Sequence, residues 1–201
     1  MTRIGVFGSS FNPPTLGHEV LLAEAGWRLG LDRIIVVPTG EAWHKDTEGS
    51  PPAGVRMALA QAAFSHQEGI EVSAAEVDRE GPSYTCDTLE EIHTSNPDSQ
   101  ISFLSGSDAA LGLGDWHRPE RVLELARFAV APRSEVAREA VAEVFEGLGA
   151  RDRLDFFEMP RVEISSTLIR ERVASGRPWK HLVPQGVAEM IDNEGLYGSK
   201  Q

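Results

Sequence analysis

The stretch RIGVFGSSFNPPTLGH, Arg3 to His18, decides how this chain folds. Ile4, Val6 and their apolar neighbours read as a short inner strand, which Gly8 is expected to end. Without a Cβ, Gly8 permits a sharp turn and a close approach of ligand to backbone, and Ser9, Ser10 and Phe11 follow with hydroxyls and amide groups. Such a turn suits an anion. Pro13 and Pro14 cannot continue a strand ladder, so the chain leaves the sheet there and re-enters as a helix near Gly17. His18 falls in the first helical turn, and Leu22, Ala25 and Leu29 recur at i+4, i+7 and i+11 along its face. Its ring then points inward beneath the turn, where the positive end of the helix dipole favours a bound phosphate. A histidine here can also simply cap the helix or fill the edge of the core. The turn around it favours a catalytic role.

Size and composition bound the rest. With 201 residues and 41 % apolar content, the chain suits one well-cored α/β domain covering residues 1–201. It has no apolar run of about eighteen residues and its N-terminus enters a strand at once, so a cytoplasmic protein away from the membrane is expected. The one cysteine, Cys86, excludes an intrachain disulfide and any multi-cysteine zinc site, and it reads as a packing residue. A formal charge of −12 argues against nucleic acid, which needs a basic face. A small anionic substrate stays open, because focused cations and amide dipoles outweigh a distant acidic surface screened over about 10 Å.

Beyond the first helix the pattern alternates. Arg33 to Val37 is a β-branched strand, followed by a loop from Pro38 to Pro52 and a helix from Gly54 to Phe64. Further strands are expected at Ile70–Ser73, Ile101–Leu104, Phe128–Ala131 and Leu154–Met159, and helices at Asp87–His93, Glu120–Ala126, Glu135–Leu148, Thr167–Ser175 and Pro184–Asn193. This rhythm predicts a doubly wound, Rossmann-like parallel sheet with helices on both faces and a small C-terminal helical segment. Ligands bind such sheets at the C-terminal ends of strands. The segments Gly8–His18, Thr39–Lys45, Gly81–Thr88 and Gly106–Trp116 would form that rim.

The N-terminal GSSFNPPTLGH, together with ISSTLIR from Ile164 to Arg170, resembles the paired signatures of the nicotinate-nucleotide adenylyltransferase family within the HxGH-type nucleotidyltransferases. Between them His44-Lys45, PSYTCDTL (Pro82–Leu89), SGSD (Ser105–Asp108), WHRPE (Trp116–Glu120) and APR (Ala131–Arg133) are similar to family segments, and LVPQGVAEMIDNEGLYG resembles the closing helix. The resemblance implies transfer of the adenylyl group of ATP to nicotinate mononucleotide, giving nicotinate adenine dinucleotide and pyrophosphate in NAD biosynthesis. The attack is direct, and the chain agrees in lacking a GxSxG elbow, an HExxH helix and a recognisable cysteine nucleophile motif.

What such a reaction needs is placement of two polyanions and stabilisation of charge at the α-phosphate and the leaving pyrophosphate. By resemblance His18 donates to the ATP phosphates with the Thr15 hydroxyl nearby, and His44 and Lys45 hold the mononucleotide or bridging phosphate. Arg170, with Ile164, Ser165, Ser166 and Thr167 at a helix start, receives the β- and γ-phosphates. The serines and threonine can equally be ordinary helix caps. Asp108, after Gly106, is either an acceptor for a ribose hydroxyl or an N-cap. Trp116 offers a flat face to a pyridine ring, with Tyr84 and Thr85 beside it, or belongs to the core. Arg133 resembles an adenylate-side contact, or is a solvated surface arginine. Arg56 is a phosphate contact or, the preferred reading, an ordinary helix surface residue. Mg²⁺ is expected with ATP, held mainly by substrate phosphates. The resemblance leaves homo-oligomer formation open.

Thr15 departs from the family pattern, which more often has histidine there. A hydroxyl donates a hydrogen bond but carries no charge, which implies weaker stabilisation or heavier reliance on Mg²⁺. Two other readings use the same residues. An adenylyltransferase for NMN or phosphopantetheine would share the phosphate machinery, while a non-catalytic nucleotide sensor is the reading Thr15 keeps alive. A dinucleotide-dependent oxidoreductase is disfavoured, because GVFGSSFNPP lacks GxGxxG.

Overall fold

Apolar blocks bounded by turn residues become the inner strands. The computed structural model describes residues 1–41, 50–132 and 134–198. Among these, β1 (Arg3–Ser9), β2 (Arg33–Pro38), β3 (Ile70–Val72), β4 (Gln100–Gly106), β5 (Arg127–Ala131) and β6 (Leu154–Phe156) form one parallel sheet in the order β3-β2-β1-β4-β5-β6. Residues 4–7 of β1 and 34–38 of β2 are continuously buried, as strands covered on both faces must be.

Alternation along the strands divides the core into two layers. Phe7, Ile34 and Val36 face one cluster with Leu22, Phe64, Ile169 and Ile191, supplied by α1 (Leu16–Leu29), α2 (Ala53–Phe64), α7 (Ser166–Ala174) and α8 (Gln185–Glu194). Ile4, Val6, Ile35 and Val37 face the other with Leu89, Leu123 and Phe145, supplied by α3 (Thr85–Ser95), α5 (Pro119–Leu125) and α6 (Glu135–Gly147). Chain progression therefore reverses at the centre. β1 is followed outward by β2 and β3 on one side, and α3 carries the chain back to β4 on the other. The C-terminal helical segment packs α8 on α2, and a Cβ on Gly186 would lie 2.8 Å from the Ala62 carbonyl oxygen.

Three expectations need correction. Gly8 does not end its strand, which runs on to Ser9; the left-handed residue is Phe11, with φ 47°. The strand expected over Leu154–Met159 pairs only through Phe156, since its neighbour β5 ends at Ala131 and Pro132 follows without an N–H. Residues taken as a rim loop after Gly106 begin with a short helix, α4 (Ser107–Leu111). Among the described residues no helix is long and apolar enough to cross a membrane.

Candidate active site

Strand register opens a cleft at the reversal point. β1 stays paired with β2 to its last residue, Ser9 opposite Pro38, and β4 stays paired with β5 to Gly106 opposite Ala131. β1 and β4 pair with each other only from Arg3–Gln100 to Val6–Phe103. Beyond Val6 the two halves part, with Ser9–Ser10 at the end of one and Gly106, just before α4, at the end of the other. Open α/β sheets bind ligands at this topological switch.

The turn after β1 is locked from below. Phe11 is fully buried, with its ring edge-on to Phe7 at 5.8 Å, Phe64 at 5.5 Å and His18 at 5.5 Å. That packing holds a left-handed backbone that a bulky residue adopts only at a cost of about 1–3 kcal/mol. Phe11 therefore offers a ligand its backbone, not its side chain.

Thr15 is the N-cap of α1 and only 1 % exposed. Its N–H donates to His18 Nδ1 at 2.9 Å, and its hydroxyl lies 3.0 Å from the same nitrogen. The hydroxyl expected near the phosphates is thus turned inward, where it positions the histidine. His18 does cap the helix, and capping and catalysis cease to be alternatives. An Nδ1 that accepts an amide proton is unprotonated, so the ring proton sits on Nε2. Among the described residues nothing engages Nε2. Burial between Phe7 and Phe11 pushes the His18 pKa down to about 4. At neutral pH His18 is an uncharged donor aimed from a helix N-terminus.

Between the ordinary histidine pKa of 6.5 and the folded value of about 4, the unfolded chain takes up a proton that the native chain refuses. Stability therefore falls as pH drops through this window, by up to about 3 kcal/mol from this residue. Denaturant melts of wild type and His18→Asn between pH 7 and 4 should show the asparagine variant gaining relative stability as pH falls. A constant difference would contradict the buried neutral ring.

The two signatures meet directly. Ser166 Oγ donates to the Pro13 carbonyl at 2.7 Å, and Arg170 Nη1 donates to the Asn12 carbonyl at 2.8 Å. A Cβ on Gly17 would lie 3.5 Å from the Ile164 carbonyl oxygen, so the chain before α7 crosses the start of α1. Two helix N-termini converge beside the cleft, an arrangement that attracts anions. Ser165 caps α7 by accepting the Leu168 N–H at 3.1 Å. Arg170 Nη2 also reaches Thr167 Oγ1 at 3.2 Å, which leaves guanidinium N–H groups for a ligand.

Arg56 is neither of the things its sequence context suggests. It is 6 % exposed and donates to the carbonyls of Ser10 at 2.9 Å, Gly40 at 2.8 Å and Pro51 at 3.3 Å. It ties the turn after β1 to the segment leaving β2. Gly40 has to be glycine: a Cβ there would lie 2.1 Å from the Glu76 carbonyl oxygen. Glu76, 6 % exposed, accepts from Thr88 Oγ1 at 2.8 Å, and burial raises its pKa. Periodicity revealed none of these contacts, although an arginine among the alanines of α2 was a usable signal.

On the opposite side Tyr84 and Thr85 begin α3, and Tyr84 stacks on His117 with ring centroids 4.2 Å apart. Trp116 is half-buried, edge-on to Phe103 at 5.6 Å. It packs on the core and is still partly open. Asp108 is exposed in the first turn of α4. His44, Lys45 and Arg133 lie outside the described residues.

Fold and cleft define a class. The cytidylyltransferase-like family model matches residues 6–172, and the chain belongs to that family. A probable nicotinate-nucleotide adenylyltransferase of Roseiflexus sp. (strain RS-1) is 38 % identical over 196 residues, covering 96 % of this chain and 97 % of the relative. One of Dehalococcoides mccartyi (strain CBDB1) is 36 % identical over 200 residues, covering 98 % of each. The chain is thus a member of the nicotinate-nucleotide adenylyltransferase family. The fold matches that of Plasmodium falciparum nicotinic acid mononucleotide adenylyltransferase complexed with NaAD, with a TM-score of 0.78 at 17 % identity over 100 % of this chain and 99 % of that one.

Proposed function

We propose that the protein transfers the adenylyl group of ATP to nicotinate mononucleotide, releasing pyrophosphate. The observation that carries this reading is the junction of the two signatures, which sets His18 Nε2, Arg170 and two helix N-termini at one cleft. A mononucleotide phosphate oxygen attacks the α-phosphorus in line, the bond to the α,β-bridging oxygen breaks, and the electron pair leaves with pyrophosphate. His18 Nε2–H donates to the oxygens where charge grows, and Arg170 with the first amides of α7 holds the β- and γ-phosphates.

Gly8, Ser9, Ser10 and the backbone of Phe11 lie along the nucleotide, Gly106 and Asp108 face its ribose, and Ile164 to Thr167 complete the phosphate cradle. His44 and Lys45 serve the mononucleotide phosphate, Arg133 the adenylate side. Mg²⁺ neutralises phosphate charge when bound. The donors ascribed to the cradle are N–H and hydroxyl groups, which suit phosphate oxygens, so the ion is carried on ATP. We place the reaction in the cytoplasm, with no nucleic-acid partner.

Tyr84, Thr85 and Trp116 form the pyridine side. Trp116→Ala should raise the KM for the mononucleotide about 10-fold while leaving that for ATP nearly unchanged, as loss of a stacking face predicts. A raised KM for ATP alone would contradict the assignment. The function itself is tested by pyrophosphate release with ATP, Mg²⁺ and nicotinate mononucleotide, NMN or phosphopantetheine. Fastest release is expected with nicotinate mononucleotide, and no release with any acceptor would favour a nucleotide sensor.

A further inference from the structure

The closing segment of the chain carries a buried polar group that the reaction described above does not use. Tyr197 sits in the turn Leu196–Gly198 with φ 57°, between two glycines that also have positive φ. An L-residue adopts this conformation at a cost, so surrounding contacts must impose it. Its ring packs on the core cluster that contains Phe11, Ile169 and Val173, and the turn rests against both α7 and α8. The phenolic oxygen is buried and has no hydrogen-bond partner among the described residues.

A second orphan lies next to Phe11 in the chain. Among the described residues Asn12 Oδ1 is buried without a partner, although Asn12 Nδ2 donates to Ser50 Oγ at 3.0 Å and its carbonyl accepts from Arg170. Arg170 and Arg56 both favour the ionised form of Tyr197, while burial as the larger influence raises its pKa. Those two arginines hold the Asn12 and Ser10 carbonyls respectively. The turn that carries Tyr197 packs on α7, the helix from which Arg170 projects. Burying a hydroxyl without a partner is unfavourable and rare in native structures.

We propose that Tyr197 is a positioning residue for the ATP site: its hydroxyl accepts a guanidinium N–H of Arg170, directly or through one water, when Arg170 holds the nucleotide phosphates. The proposal rests on the reading of Arg170 as a phosphate ligand. It gives the orphan hydroxyl an acceptor role in the bound state, and it links the C-terminal turn to the N-terminal signature. The segments around Asn12 and Tyr197 then close on the same nucleotide.

Tyr197→Phe tests this, because it keeps the ring, its packing and the backbone and removes one oxygen. Three measurements on the full chain are needed: ATP binding by calorimetry, steady-state kinetics for each substrate, and thermal melting. The expected result is an ATP Kd and KM raised about 5- to 10-fold, an unchanged KM for nicotinate mononucleotide, and a melting temperature equal to or above wild type. A hydroxyl that is merely buried would leave every binding and kinetic constant within twofold, and that result overturns the proposal. Wild type that binds ATP without turnover would end the adenylyltransferase reading alone, with the Kd of the variant still deciding the role of Tyr197. Wild type that does not bind ATP would overturn both.

Discussion

His18→Ala lowers the rate of adenylyl transfer by about 100- to 1,000-fold, the scale for losing one preorganised donor at a charge-developing oxygen. Alanine, however, removes two functions at once. The Thr15 N–H, which now donates to Nδ1 at 2.9 Å, would be left buried and unpaired at a cost of about 1–3 kcal/mol. Two further substitutions separate the roles. Asparagine places an oxygen where Nδ1 stands, so His18→Asn should keep the cap and near-normal stability while losing the Nε2 donor and the rate. Glutamine reaches the Nε2 position with an N–H but leaves the cap unfilled, so His18→Gln should retain more activity than asparagine and melt lower. Turnover by purified His18→Asn within threefold of wild type would remove His18 from the reaction. Because the folded ring titrates near 4, the wild-type rate should show no inflection from His18 between pH 6 and 8.

Gly40→Ala should be the most damaging substitution for the fold among the glycines beside the cleft. The added Cβ would meet the Glu76 carbonyl oxygen at 2.1 Å and its carbon at 2.9 Å. Both are backbone atoms, and they cannot rotate away as a side chain would. Relief requires moving the Gly40 segment, whose carbonyl accepts from Arg56 and whose N–H donates to Ser83 Oγ. A loss of about 3 kcal/mol or more is expected, which for a chain of this size lowers the melting temperature by about 6–12 °C. Gly54→Ala is the control: nothing lies within 4 Å of its added Cβ, and it stands in the first turn of α2. It should be neutral or gain up to about 1 kcal/mol. A Gly40→Ala protein melting within 2 °C of the Gly54→Ala control would show that the segment gives way easily, at odds with the close approach described here.

Local pattern made much of the architecture legible. The alternation of β-branched runs with helical periodicity predicts the doubly wound sheet, and most element boundaries fall within two residues of those observed, such as Glu135–Leu148 against Glu135–Gly147. Errors arose where a neighbour decides the outcome. The last strand is short because β5 runs out beside it, and α4 is too brief to show a period. GSSFNPPTLGH and ISSTLIR, paired in the sequence by resemblance, touch in the structure through Pro13–Ser166 and Asn12–Arg170. The anchoring role of Arg56 is invisible to a helix wheel, which does not show which carbonyls lie across the turn.

By itself, then, the sequence determined the layer order, the place of the cleft and the residue types gathered around it, since spacing and turn chemistry are local properties of the chain. Only the tertiary structure decided what those residues are chemically. Phe7 and Phe11 desolvate His18 and keep it neutral, the Thr15 amide fixes its proton on Nε2, and packing turns the Phe11 and Thr15 side chains inward. Protonation and orientation depend on dielectric surroundings, and the Phe7–His18 segment acquires them only when it packs against Phe64 of α2 and the rest of the core.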